Sequence, residues 1–118
     1  MSNDPTEEAT SPPPTIHEAE PMPGPLGVVW YAAELDFDEA VARRQAGLDV
    51  VVRGTDLAAN RNLAAAIEAA VGPRTGPQKP HKRAGPHALP HFHQVLRSPD
   101  GHCFYETENP MKKARRRP

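Results

Sequence analysis

The sequence is short of the residues on which covalently stabilised and membrane-spanning folds depend. Cys103 is the only cysteine, which excludes an intramolecular disulfide and a zinc site built from several thiolates. Aromatic residues make up 5% of the chain, and no apolar run approaches the roughly 20 residues that span a bilayer. These shortages predict a small domain that folds without disulfides and without contact with a membrane.

The first residues also lack the features of a secretory signal. The sequence MSNDPTEEAT is acidic and polar, whereas a signal peptide has a basic start followed by an apolar segment. We therefore expect a cytoplasmic protein, or one that is exported without a classical signal peptide.

Basic residues are absent from the first third of the chain and concentrated in the last. Residues 1–42 contain nine acidic residues and no Lys or Arg, while residues 73–118 contain ten basic and three acidic residues. A basic half is typical of proteins that bind RNA or another nucleic acid. Charge runs alone more often belong to tails that keep a small protein in solution.

Both ends of the chain are too polar to form a core. Residues 1–26 are acidic and rich in proline, and residues 108–118 end in a basic run. We expect both segments to be disordered, because they bury too little apolar surface to offset their ordering entropy. This leaves residues 27–107 as the folded domain, which at about 80 residues has a marginal core.

Two strand and helix pairs are predicted next. Apolar runs predict strands at residues 27–32 and 48–53. Asp36 and Glu39 form a capping box that begins the first helix, and Gly47 stands where a left-handed residue ends it. Because the strand, helix and strand lie so close in the chain, they predict a parallel βαβ unit.

The second helix is predicted to begin after Asp56 and to end at Gly72. Its predicted apolar stripe consists of Ala59, Leu63, Ile67 and Ala70, and its predicted solvent face of Asn60, Arg61 and Glu68. The prolines and glycines of residues 73–90 then predict a long loop.

The last predicted elements are strands at 91–97 and 102–106, joined by a type I turn at residues 98–101. The fold class is therefore a small single α+β domain of order β-α-β-α-loop-β-β, with a C-terminal β-hairpin and disordered termini.

Five of the six histidines lie between His81 and His102. Imidazole changes charge near neutral pH and is the commonest metal ligand. Alternation along a strand puts His91 and His93 on one face, with Phe92 and Leu96 turned to the core. His87 would reach this face from the loop. The register of the hairpin decides whether His102 joins the face, or Cys103 with Tyr105.

Three interpretations of the histidines remain open. In the first, a neutral and a protonated imidazole perform the acid-base chemistry of a ribonuclease, and Lys82, Arg83 and Arg97 bind the phosphate. In the second, His91 and His93 bind zinc, with a third ligand from His87, His102 or Glu106. In the third, the histidines line an exposed strand and only contribute to solubility.

The segments GPHALPHFHQ and SPDGHCFYE resemble the closing stretch of C-terminal toxin domains from bacterial polymorphic toxin systems. In these domains a Gly-Pro-rich loop leads into a Pro-His-aromatic-His strand and a final short strand. The stretch from Val51 to Gly72 is also similar to small bacterial proteins with the pattern VVxGxDLxANRxLAxxIExAVG. Many such toxin domains are nucleases with the histidine strand in the active site. The resemblance implies catalytic roles for His91 and His93, then for His87 and His102.

The leading hypothesis is therefore a toxin-like nuclease that cleaves RNA through histidine acid-base chemistry and requires no cofactor. The alternative is a non-catalytic binding module, either for a metal through the His-x-His pair or for a protein partner such as an immunity protein.

Overall fold

The computed structural model describes residues 12–80 and 84–118, and its fold is α+β, as predicted. Six strands form one mixed sheet: β1 Thr15–Pro21, β2 Val29–Leu35, β3 Val50–Arg53, β4 His91–Phe92, β5 Cys103–Tyr105 and β6 Arg115–Arg116. The two helices of these ranges are α1 Phe37–Gln45 and α2 Leu57–Val71. Neither helix combines the length and the apolarity that crossing a membrane requires.

The strand order across the sheet is β4-β5-β3-β1-β2-β6. Strand β1 pairs antiparallel with β2 on one side and with β3 on the other. Strands β2 and β3 therefore run parallel to each other, as predicted, but they are not neighbours because β1 lies between them. Strand β5 extends the sheet parallel to β3, and β4 pairs antiparallel with β5.

The predicted disorder of residues 1–26 is wrong for β1. This strand is central in the sheet, and it buries Ile16 and Ala19 between more polar residues. Because two neighbouring strands satisfy its backbone hydrogen bonds, it needs little apolar surface of its own. Residues 1–11 lie outside the described ranges.

The predicted disorder of residues 108–118 is wrong for β6, which pairs in parallel with β2. Just before it, the backbone N–H of Ala114 donates to the buried carboxylate of Glu106, and Ala114 is itself buried. Backbone pairing, this hydrogen bond and others, such as that from the Lys113 ammonium to the Thr107 carbonyl, hold the basic run, and hydropathy alone does not reveal them. The folded part therefore extends beyond the predicted limits of 27 and 107.

The predicted helix ends are confirmed. Asp36 and Glu39 form the reciprocal capping box of α1, and Gly47 has the left-handed backbone angle φ of 83°. Asp56 caps α2 by accepting from the N–H groups of Ala58 and Ala59. These contacts involve residues within a few positions of each other, so their spacing in the chain is enough to predict them.

The sheet separates two apolar layers. On one face, the helices contribute Ala40, Ala64 and Ile67 to a core that includes Val50 and Val52. On the other face, no helix residue takes part in the core that the structure describes, and Leu89 packs onto Val51 and Phe104 instead. The second face of the sheet is therefore covered by the loop that carries Leu89, and not by a helix of the described residues.

The predicted solvent face of α2 is wrong at two positions, since Asn60 and Glu68 are fully buried. Asn60 donates from its side-chain amide to the carbonyl oxygens of Gly54 and Glu106. Glu68 pairs with Arg44, which is also fully buried. Buried polar groups require such partners, and the partners come from distant parts of the chain.

Candidate functional site

The two strands that carry the histidines pair as predicted, with His91 opposite Phe104 and Phe92 opposite Cys103. This register places His91 and Phe104 on the sheet face that lacks helices. Because side chains alternate along a strand, His102 shares that face with Phe104. The register therefore selects His102 and turns Cys103 and Tyr105 into the helix-covered core.

Strand β4 is shorter than predicted and the tight turn is absent. The chain leaves the sheet after Phe92, and Arg97 adopts a left-handed φ of 59° that non-glycine residues seldom adopt. Leu96, predicted to pack in the core, is 83% exposed as a result. The connection between β4 and β5 includes a cis Ser98–Pro99 bond.

Three histidine rings meet on this face. The ring centroids of His91 and His102 are 4.8 Å apart, those of His91 and His93 are 5.8 Å apart, and those of His93 and His102 are 6.4 Å apart. Phe104 packs beside the group, with its ring 5.2 Å from that of His102. We call His91, His93 and His102 the histidine cluster.

Two members of the cluster have a defined tautomer. In His93, Nδ1 lies 2.9 Å from the carbonyl oxygen of Gln94, and in His102, Nδ1 lies 3.2 Å from Asp49 Oδ1. Carbonyl and carboxylate oxygens only accept, so each Nδ1 carries a proton, and in the neutral form of each ring the lone pair is on Nε2. Asp49 also accepts from the backbone N–H of His102, which anchors the residue twice.

The third member, His91, is held neutral. The pKa of His91 is lowered from 6.5 to about 4, first because the ring is buried and then because His102, His93 and Arg97 disfavour a charge beside them. His91 is thus uncharged at neutral pH, while His93 and His102 are each hydrogen-bonded through Nδ1. The cluster therefore combines imidazoles in different electrostatic environments, as acid-base sites require.

The other predicted site residues lie elsewhere or outside the described ranges. His87 is hydrogen-bonded to the carbonyl of Met111 and lies beside Arg115, and it makes no contact with the cluster among the described residues. Lys82 and Arg83 fall outside the described residues, together with His81. Arg97 is exposed, and its charge acts on His91.

A buried polar network beneath the sheet positions both ends of the connection that carries His93 and His102. Glu68 accepts from both Nε and Nη2 of Arg44 and from the side-chain amide of Gln94, the residue after His93. Arg44 also donates to the carbonyls of Leu48, Asp100 and Gly101, the last directly before His102. We call Arg44, Glu68 and Gln94 the buried network.

Gly101 is required where the network meets the turn. A Cβ atom at this position would lie 2.6 Å from Nη1 of Arg44, and its φ of 99° disfavours other residues. Sequence reasoning missed Asp49, Gln94 and the buried network. The one available signal was Glu68 in a helix otherwise rich in alanine.

Neither a metal site nor a reactive thiol forms here. In residues 12–80 and 84–118, no three His, Cys, Asp or Glu side chains are arranged to hold one metal ion. Glu106, a predicted third ligand, instead accepts from Arg53 and from two backbone N–H groups. Cys103 is fully buried, and burial raises the pKa of its thiol, which favours the protonated form.

A basic groove lies near the opposite edge of the sheet. Its lining includes Arg53, Arg116 and Arg117, with Tyr31 and His17 at its base. The guanidinium carbon of Arg53 lies 3.8 Å from the centre of the Tyr31 ring. Arg116 and Arg117 of the basic C-terminal run therefore line the same groove as the stacked pair of Arg53 and Tyr31.

Comparisons with protein-family models, with curated proteins and with solved structures found no match for this chain.

Proposed function

We propose that this protein is a nuclease that cleaves RNA by metal-independent acid-base catalysis at the histidine cluster. The observation that carries the proposal is the pairing of His93 and His102. Each ring is anchored through Nδ1 and presents a basic Nε2, and the rings are 6.4 Å apart. They are too far apart to hydrogen bond to each other and close enough to contact one phosphate group from two sides.

In the proposed reaction, one of the two imidazoles accepts the proton of the RNA 2′-hydroxyl as that oxygen attacks phosphorus. The other, protonated, donates a proton to the departing 5′-oxygen. The bond to the 5′-oxygen breaks and a 2′,3′-cyclic phosphate forms. Asp49 holds the His102 ring as the aspartate of a serine-protease triad holds its histidine, so His102 is well placed as the base.

Positive charge near the cluster supports a phosphate substrate. Arg97 is exposed at the turn after β4, and its charge is felt at His91. Such a cation would offset the charge that builds on the phosphate oxygens. Lys82 and Arg83, which lie outside the described residues, remain proposed contacts. The groove lined by Arg116 and Arg117 offers further binding to the RNA backbone.

The experiment is cleavage of total RNA and of plasmid DNA by the purified protein, with and without EDTA. His93→Ala and His102→Ala are assayed beside His87→Ala, a matched control because His87 lies outside the cluster. We expect RNA cleavage that survives EDTA and yields a 2′,3′-cyclic phosphate. The cluster variants should lose about 10²- to 10⁴-fold in rate, while His87→Ala retains it. Circular dichroism verifies that every variant is folded.

Three results would overturn the proposal. Absence of RNA cleavage removes the enzyme activity, and full activity in His93→Ala and His102→Ala removes the assigned residues. Cleavage that disappears with EDTA means that a metal ion performs the chemistry.

A further inference from the structure

The basic run near the end of the chain forms one edge of the sheet. Five of the six residues 112–117 are Lys or Arg. In strand β6, Arg116 lies opposite Tyr31 of β2, and the backbone N–H of Arg117 donates to the carbonyl of Tyr31. These contacts fix the backbone of the arginines on the folded surface. A partner that binds here therefore does not have to order a free tail, which lowers the cost of association.

The groove beside this edge has a volume of about 600 Å³, which is typical of natural ligand sites. Its lining includes Arg53, Arg116 and Arg117, and Glu34 is the one acidic residue in the described part of the lining. The charge of the groove therefore favours an anionic partner.

The three arginines differ in how far their charge is already compensated. Arg53 is paired with Glu106, whereas Arg117 lies 3.8 Å from Glu20 in an exposed ion pair. Exposed ion pairs contribute little free energy, so Arg117 can exchange its carboxylate for another anion. Arg116 is exposed and forms no ion pair with any residue that the structure describes. Arg116 and Arg117 are therefore available to a partner, while Arg53 stays fixed.

The fixed arginine belongs to a stack of planar groups in the same groove. The guanidinium carbon of Arg53 lies 3.8 Å from the centre of the Tyr31 ring, and the Arg53 side chain is 30% exposed. His17 packs edge-on against Tyr31, with ring centroids 5.0 Å apart, and so holds the ring in place. Nucleobases stack on both aromatic rings and guanidinium planes. The groove therefore combines available positive charge with a surface on which a base can stack.

We propose that this groove binds single-stranded RNA, with Arg116 and Arg117 contacting phosphate groups and the stack of Tyr31 and Arg53 contacting a base. Basic grooves with aromatic side chains are the typical binding surface for single strands. Duplex RNA keeps its bases inside the helix and an acidic protein has none, so neither of them uses the stack. The inference requires no cleavage at the histidine cluster and goes beyond the proposed function in this respect.

The test is the binding of a short fluorescent single-stranded RNA, measured by anisotropy at several salt concentrations. The RNA carries 2′-O-methyl groups, because a strand without free 2′-hydroxyls cannot react in the proposed cleavage. Arg116→Gln is compared with Arg61→Gln, which removes the same charge from an exposed position of α2. Tyr31→Leu is compared with Phe37→Leu, which removes an aromatic ring that is 39% exposed at the start of α1. Duplex RNA and polyglutamate are the competing ligands, and thermal unfolding verifies the fold of each variant.

We expect Arg116→Gln to weaken binding and to reduce the slope of log affinity against log salt by about 0.7, the value for one lost phosphate contact on a single strand. Tyr31→Leu should weaken binding by about tenfold, because a stacked base is lost. Arg61→Gln and Phe37→Leu should bind as the wild-type protein does.

Binding of Arg116→Gln that equals the wild type would overturn the inference, as would the absence of any binding. Duplex RNA that binds as tightly as the single strand would also overturn it, because the stack would then have no role. Polyglutamate that binds as tightly as the RNA would mean that the groove serves an acidic protein. These comparisons decide the question even if Tyr31→Leu fails to fold.

The binding measurement distinguishes this inference from the proposed function. If the protein cleaves no RNA but binds the methylated strand, and Arg116→Gln weakens that binding, the nuclease proposal fails and the RNA-binding groove stands. Cleavage of RNA with unchanged binding in Arg116→Gln has the opposite meaning. Neither cleavage nor binding would reject both.

Discussion

Two groups of polar residues lie near strands β4 and β5, the buried network and the histidine cluster. They differ in how many of their polar atoms have hydrogen-bond partners within the protein. In the buried network, Arg44 donates five hydrogen bonds and is fully buried, as is its partner Glu68. In the histidine cluster, the side chain of His102 is one third exposed, and the buried Nδ1 of His91 has no hydrogen-bond partner among the described residues. The same connection between β4 and β5 contributes to both groups.

The difference distinguishes a group of residues that stabilises the fold from a group whose nitrogens are not all used within the protein. A fully paired ion pair in the interior tolerates little change, because removing one partner leaves an uncompensated buried charge. Imidazoles with available nitrogens stabilise the fold less but can bind and react. The buried network holds Gln94 and Gly101, and these residues place His93 and His102.

Glu68→Ala tests the structural half of this comparison and should have the largest effect. Loss of the carboxylate leaves Arg44 charged and buried, so we expect a loss of about 3–5 kcal/mol in the free energy of unfolding. Urea unfolding of the variant measures it. Glu34→Ala removes the same charge from an exposed position and should change the stability by less than about 0.5 kcal/mol. Equal stability of the two variants would show that the network is not needed.

Asp49→Asn tests the proposed catalytic role of the histidine cluster, the other side of this comparison. Asp49 Oδ1 accepts from both the backbone N–H and Nδ1 of His102, and the asparagine oxygen can take the same place, but it carries no negative charge to hold the tautomer and to stabilise the protonated ring. We expect RNA cleavage to fall by about a hundredfold or more, with the fold intact, because a comparable Asp-to-Asn change costs serine proteases about 10⁴-fold. Nitrogen-15 NMR of the His102 ring reports the tautomer. Asp100→Asn is the control. Asp100 is exposed and lies two positions before His102 in the chain, so this variant should retain full activity.

The pH dependence of stability reports on His91 and should show the smallest effect. The pKa of His91 is about 4 in the folded protein and 6.5 ordinarily, so between these values the unfolded chain binds more protons. Stability should therefore fall as the pH is lowered from 6.5 to 4, by about 1–2 kcal/mol once partial exposure is allowed for. Urea unfolding at several pH values measures this.

His91→Gln should remove that part of the pH dependence, and His87→Gln should preserve it. If both variants follow the wild-type curve, His91 is not the group that titrates, and the distinction drawn between the members of the cluster fails.

Local patterns in the sequence are enough to predict both described helices and the positions of four strands, β2 to β5. The capping box at Asp36 and the cap at Asp56 depend on residues within one turn of helix, so spacing alone reveals them. The pairing of β4 with β5 was also predictable, because the two strands are near each other in the chain. The histidine-rich segment marked the region of the candidate site before its geometry was known.

The polar stretches were harder to interpret. Strand β1 is stabilised by backbone pairing with a strand on each side, and strand β6 pairs with β2 at the edge of the sheet. Hydropathy does not encode such backbone pairing. The burial of Glu68 also depends on a distant partner, and from the sequence alone Glu68 is predicted to lie on the surface of α2. Its partner Arg44 belongs to another helix, so only the packing of the two helices shows that both are buried.

Residue types and their spacing established an α+β domain with its histidines concentrated in the last third of the chain, because caps, periodicity and imidazole content are local properties. The tertiary structure decided which histidines meet. The register of the β4–β5 hairpin places His102 beside His91 and His93. His87 lies beside Arg115 instead. Asp49, which contacts His102, comes from the segment between α1 and β3. Strand pairing and side-chain packing join residues that are distant in the chain, and a shift of one position would have exchanged His102 for Cys103.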